Sequence, residues 1–138
     1  IGEKTAEEIK IKIGSAVTVE EELSVTIKGR DYITGLPRPV ELKTNEIVKA
    51  ISKELRDMIK AIKDVLQETP PELASDIIDQ GITMTGGSSL LRNLDELVFR
   101  RTGVKAHVAD DALFCVVKGT GMALDHLNAY KKAVVTKR

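Results

Sequence analysis

Apolar residues along this chain recur at two spacings, and the spacings divide it into elements. Thr5-Ala6-Glu7-Glu8 has the form of a capping box, with Thr5 as N-cap and Glu8 at the third helical position. Ile9 and Ile13 then share a helical face, and Gly14 supplies a stop. Leu23, Val25 and Ile27 alternate with Ser24, Thr26 and Lys28, which predicts a half-exposed strand ended by Gly29-Arg30-Asp31. Val40 and Leu42 alternate with Glu41 and Lys43 as a second strand, and Pro37 and Pro39 confine its entry to an edge or a loop. The pair predicts a small antiparallel sheet.

Thr44 stands ready to cap a long helix to Glu68, in which Ile47, Ile51, Leu55, Met58, Ile59, Ile62, Val65 and Leu66 keep a three/four spacing. Thr69-Pro70-Pro71 ends it, and Pro71 suits the first position of a following helix that buries Leu73, Ile77 and Ile78. A strand is expected at Ile82–Met84, a helix at Ser89–Arg100, a strand at Lys105–Ala109 and a last helix at Leu113–Leu127. Alternating strand and helix implies an α/β layer. Tyr130 to Arg138 shows no packing pattern and reads as a mobile tail.

Composition narrows the function classes. Lys plus Arg and Asp plus Glu both number 21, so the chain lacks the basic excess of a nucleic-acid binder. Aromatics are 3% with no Trp, which removes the stacking platforms that single strands need. Cys115 stands alone and fits a reducing compartment. No apolar run reaches the length of a membrane span, and no signal peptide is evident. The chain opens Ile1-Gly2-Glu3 without methionine, as a piece of a longer protein would.

The segment with the most chemistry is Gly81 to Asp95, a strand, a Gly86-Gly87 turn and then an amphipathic stretch. Glycines let a ligand approach the backbone, and a helix start offers unpaired N–H groups to an anion. The same turn also serves many α/β folds with no ligand. It is neither a Walker loop nor a dinucleotide fingerprint. Gly119-Thr120-Gly121 lacks the third glycine of such a fingerprint and reads as close packing of the last helix on the sheet. Glu8 is accounted for by the capping box, whereas Glu7 is either solvated or an acceptor for ribose hydroxyls. His107, Asp110, Asp111 and Cys115 match no zinc spacing, and no Ser-His-Asp set is arguable.

Five stretches taken in order resemble the MreB/Mbl family of bacterial actins across essentially the whole chain. They are Ile1-Gly2-Glu3-Lys4-Thr5-Ala6-Glu7-Glu8-Ile9-Lys10, and Gly29-Arg30-Asp31 with Thr34-Gly35-Leu36-Pro37. Thr69-Pro70-Pro71-Glu72-Leu73-Ala74 with Asp76-Ile77 follows, then Thr85-Gly86-Gly87 with Leu90-Leu91, and Gly119-Thr120-Gly121 with Ala123-Leu124. The family usually carries a third glycine and Ala where this chain has Ser88 and Ser89, and Phe114 and Lys118 also depart from its pattern.

The resemblance implies an α/β, actin-like ATPase (ribonuclease H-like) fold, of which this chain is a C-terminal half-domain with a small antiparallel-sheet outer lobe. Residues 1–68 would cover the adenosine, 69–129 would complete the inner α/β lobe, and 130–138 would be the tail. Ala6, Glu7, Glu8 and Ile9 would contact the nucleoside. Gly86, Gly87, Ser88 and Ser89 would line its adenosine and phosphate side. ATP with magnesium is the implied cofactor. The phosphate hairpins and the acid that positions the attacking water would lie upstream, so no catalytic residue and no protein-held metal is expected here. The implied partners are further copies in a filament and the cell-wall elongation machinery. Membrane contact would come through an N-terminal part, at the inner face of the bacterial membrane, with no nucleic acid involved. A sugar kinase of the same superfold and a nucleotide-independent interaction module remain the alternatives.

Overall fold

The computed structural model describes residues 1–130. The first helix, α1, runs Glu3–Ile13 and stops at Gly14. It begins three residues earlier than the Thr5 capping box requires, with Glu3 rather than Ala6 as its first residue. Gly2 is the N-cap, no side chain caps the start, and Gly2 O accepts from Ala6 N. Thr5 and Glu8 therefore lie inside the helix, and Glu8 has no capping role.

Strands β1 (Ser24–Arg30) and β2 (Pro37–Lys43) form an antiparallel hairpin, with Ser24 opposite Lys43 and Arg30 opposite Pro37. The two strands make up the whole sheet among the described residues, so Pro37 and Pro39 remove no ladder donor that a third strand would need. Asp31 ties the connecting turn: its Oδ1 accepts from Ile33 N and Thr34 N, both at 2.9 Å. Tyr32 and Ile33 at the tip are fully exposed.

The single helix expected from Thr44 to Glu68 is two helices, α2 (Thr44–Ala50) and α3 (Ser52–Glu68), parted at Ile51. Thr44 is the first helical residue rather than the cap, and Glu46 Oε2 accepts from Lys43 N at 2.8 Å. The Thr44 hydroxyl turns inward. It is buried and exchanges hydrogen bonds with the backbone of Leu23.

Pro71 opens α4 (Pro71–Gln80), as its fixed φ and missing N–H favour. The burial expected of this helix does not occur, since Leu73 is 55% and Ile78 63% exposed and no residue of α4 is buried. Strand β3 (Ile82–Met84) pairs in parallel with β4 (Ala106–Val108), and α5 (Leu94–Thr102) crosses between them. Helices α6 (Cys115–Asp125) and α7 (Leu127–Tyr130) close the described chain. Gly119 and Gly121 have nothing within 4 Å of a built Cβ, so the close helix packing expected of them is absent among the described residues. The expected mobile tail, with Lys131, Lys132, Lys137 and Arg138, lies outside the described residues apart from Tyr130, which ends α7.

The core lies where α1, α2, α3 and α5 converge. Ile9, Ile13, Val17, Val48, Ile59 and Val98 are buried there, with Val98 fully so.

Candidate functional site

The Gly86-Gly87 turn leaves β3 and enters a single 3₁₀ turn, Gly87–Leu90, not the α-helix expected from Ser89. Gly86 holds φ +83° and ψ 170°, a region that a residue with a Cβ occupies only under strain. Its N–H is fixed by Ala112 O at 2.8 Å, and a built Cβ there meets nothing within 4 Å. The space that a side chain on Gly86 would enter is thus open, although Gly86 itself is half-buried. Gly87 has an ordinary φ, and a Cβ on it would lie 3.2 Å from Leu113 Cδ2.

Two backbone donors are left at this turn. Among the described residues, Gly87 N and Ser88 N donate to no protein acceptor, whereas Ser89 N donates to Gly86 O at 3.2 Å. Ser88 is exposed. It caps no helix, and the hydroxyl that braces the turn belongs to Ser89, buried and donating to Gly86 O at 2.6 Å. Two adjacent free N–H groups beside a glycine suit an anionic oxygen.

The second set of expected residues sits on α1. Ala6, Glu7 and Glu8 are exposed and Ile9 is buried. Ala6, Glu7 and Ile9 line a groove of about 710 Å³ against Leu42, Ile47 and Ala50, which Glu8 does not join. No hydrogen bond of the described residues links 6–9 directly to 86–89. The two segments are instead tied through the far end of α1. Arg92 Nε donates to Gly14 O and its Nη2 to Ile13 O, both at 2.8 Å, which satisfies carbonyls that the helix C-terminus leaves open. Ser15 bridges Arg92 along the backbone, Ala16 N donates to Arg92 O, and Asn93 Nδ2 donates to the buried Ser15 Oγ at 3.1 Å. A Cβ on Gly14 would lie 3.1 Å from Leu91 Cδ1. The sequence pattern gave Arg92 and Asn93 no role, and Leu91 entered only through the family resemblance. The one available signal is the break that Arg92-Asn93 makes in the apolar run Leu90 to Leu94.

Two of the four groups considered as metal ligands are occupied otherwise. His107 Nε2 lies 2.8 Å from Thr83 Oγ1, and the Lys118 ammonium hydrogen-bonds Asp111 and holds its carboxyl below the ordinary range. Among the described residues no three His, Cys, Asp or Glu side chains gather as a metal site, and no helix is long and apolar enough to cross a membrane.

This combination of antiparallel hairpin lobe, parallel βαβ unit and glycine turn is the fold of the actin-like ATPases. The chain belongs to the MreB/Mbl protein family, whose model matches residues 1–132. It is 44% identical over 130 residues to the cell shape-determining protein MreB of Escherichia coli K12, and 40% identical over 132 residues to the cell shape-determining protein Mbl of Bacillus subtilis 168. These alignments cover 94% and 96% of this chain but 38% and 40% of the relatives, so the sequence spans about two fifths of their length. The crystal structure of MreB5 of Spiroplasma citri bound to ADP superposes with a TM-score of 0.87 at 36% identity, over 96% of this chain and 40% of that one. MreB5 bound to AMPPNP gives the same values. Family membership decides against the sugar kinase.

Proposed function

We propose that the full-length protein is an ATP-dependent cytoskeletal filament that governs cell shape and cell-wall synthesis at the inner face of the bacterial membrane. The observation that carries this reading is the Gly86-Gly87 turn, with open space over Gly86 and free N–H groups on Gly87 and Ser88, in a chain of this family. The relatives' designation as cell shape-determining proteins and the nucleotides bound to MreB5 support it.

In this reading Ala6, Glu7, Glu8 and Ile9 form the nucleoside wall, with the Glu7 carboxylate accepting from ribose hydroxyls. Gly86, Gly87, Ser88 and Ser89 form the opposite wall. The N–H groups of Gly87 and Ser88 orient the phosphate side, while Ser89 braces the turn from beneath. Magnesium accompanies the phosphates rather than a ligand cluster of this chain, and hydrolysis is assigned to residues outside this sequence. Residues 1–68 act as the outer lobe and 69–129 as part of the inner lobe, with Arg92 tying one to the other through Ile13 O and Gly14 O. The exposed tip residues Tyr32, Ile33 and Leu36 offer apolar surface to a neighbouring copy. The filament in turn engages the cell-wall elongation machinery, with membrane contact made through an N-terminal part.

Sedimentation of the full-length protein with and without ATP tests this. ATP-dependent pelleting of regular filaments is expected, and pelleting indifferent to nucleotide would contradict it.

A further inference from the structure

One residue, Arg92, is joined to all three segments of the candidate site. Its backbone lies just beyond Leu91, which ends the 3₁₀ turn Gly87–Leu90. Its guanidinium holds the C-terminal end of α1 through Ile13 O and Gly14 O, both at 2.8 Å. Nη2 also reaches Thr44 Oγ1 at 3.5 Å, on the first residue of α2. Thr44 is fully buried and its hydroxyl is shared with the backbone of Leu23, so this end of α2 is fixed as well. Each of these bonds joins residues of this chain, and each stands whatever else packs upon its surfaces.

The groove that holds Ala6, Glu7 and Ile9 has α1 on one side and Ile47 and Ala50 of α2 on the other. The C-terminal end of α1 and the N-terminal end of α2 thus meet at the same side chain. Among the described residues no hydrogen bond joins 6–9 to 86–89, so the polar path between them runs through Arg92 and the adjoining Ser15–Asn93 contact. Glu7 stands about 9 Å along α1 from Ile13, at about 1.5 Å per residue. Over that arm a tilt of about 10° displaces Glu7 by about 1.6 Å, more than the roughly 0.5 Å that a preorganised site tolerates.

We propose that Arg92 is a positioning residue for the nucleotide: by pinning the end of α1 and the start of α2 to the chain that leaves the glycine turn, it sets where Glu7 stands relative to the Gly87 and Ser88 N–H groups. The proposal rests on the nucleotide reading of that turn. Arg92 touches no nucleotide in this role and acts through α1. Its planar fork takes two carbonyls at once, and its charge suits the C-terminal end of a helix. A lysine ammonium is a point charge without that fork.

The test is a double-mutant cycle on the full-length protein, with ATP affinity measured by calorimetry well below each variant's melting temperature. Arg92→Ala, Glu7→Ala and their combination are compared with wild type, beside Gly87→Val and the core variant Ile59→Val. Arg92→Ala is expected to weaken ATP binding about fivefold or more, and Glu7→Ala to cost less than about twofold in that background while costing more in wild type. Ile59→Val lowers the melting temperature but leaves ATP affinity and the Glu7 effect as in wild type, which separates positioning from stability. Arg92→Lys restores part of the affinity, and it carries the cycle if Arg92→Ala does not fold. Wild-type ATP affinity in a folded Arg92 variant, zero coupling between Glu7 and Arg92, or a matching loss in Ile59→Val overturns the proposal. Normal ATP binding by folded Gly87→Val contradicts the turn itself, a result distinct from an uncoupled cycle.

Discussion

Arg92 reaches 78 residues back along the chain to donate its Nε–H to the carbonyl oxygen of Gly14 at 2.8 Å. With the second bond to Ile13 O, one guanidinium ends α1 and fixes it to the chain just beyond the glycine turn. Arg92→Ala leaves two helix-terminal carbonyls without their donors, and a loss of about 1–3 kcal/mol is expected in urea unfolding. Arg92→Lys keeps the charge without the planar fork and recovers only part of that loss. Unfolding curves of both variants that match wild type would show the clasp to be energetically idle.

The two glycines of the turn have separable duties. Gly86→Ala forces a Cβ into a glycine-only conformation, and a loss of about 1–3 kcal/mol is expected although the space is free. Gly87→Ala meets only the end of the Leu113 side chain, so its melting temperature stays near wild type while nucleotide affinity falls. Thermal melts and ATP titration on the same two variants check the split, and the reverse order of stability would contradict it.

Glu7 and Glu8 are both exposed and neither caps α1. Replacing either with Ala is expected to change stability by no more than about 0.5 kcal/mol, as for ordinary surface positions. Glu7→Ala weakens ATP binding more than Glu8→Ala, because Glu7 shares a groove with Ala6 and Ile9 while Glu8 does not. Calorimetry on the pair measures this. A larger effect from Glu8 would exchange their roles.

The hairpin tip responds to acid. The backbone N–H groups of Thr34 and Ile33 hold the Asp31 carboxyl below its ordinary value of 3.8. A carboxylate whose folded pKa is depressed stabilises the fold above its unfolded pKa, and that contribution disappears as pH falls through the lowered folded value. Amide resonances of Ile33 and Thr34 should therefore shift toward unstructured positions as pH falls below about 4. Tip amides that stay constant through this range would contradict the Asp31 tether.

Local pattern made much of this fold legible. Alternation in Val25, Ile27, Val40 and Leu42 located the hairpin, and Thr69-Pro70-Pro71 located the join of α3 and α4. What was missed depends on distant contacts or small dihedral changes. The apolar spacing runs unbroken through Ile51, so the parting of α2 from α3 leaves no trace in it. The helix expected from Ser89 is displaced to Leu94 because Arg92 pairs with Ser15, and Asn93 takes a left-handed conformation to enter α5. Leu73 and Ile78 have helical spacing but no covering layer among the described residues, and spacing does not reveal what packs upon it. At the candidate site the glycine turn was legible, while the assignment of its strained position to Gly86 and of its brace to Ser89 required coordinates.

The central claim is that the turn after β3 is a wall of a nucleotide site. The most direct test is calorimetric titration of ATP into the full-length protein and its Gly87→Val variant, each first shown folded by thermal melting. A branched side chain there should obstruct the approach to the Gly87 and Ser88 N–H groups, so wild type is predicted to bind ATP and the folded variant to bind at least about tenfold more weakly, a difference of about 1.4 kcal/mol. Equal affinity in a folded Gly87→Val variant would contradict the account and leave the turn a purely structural connection.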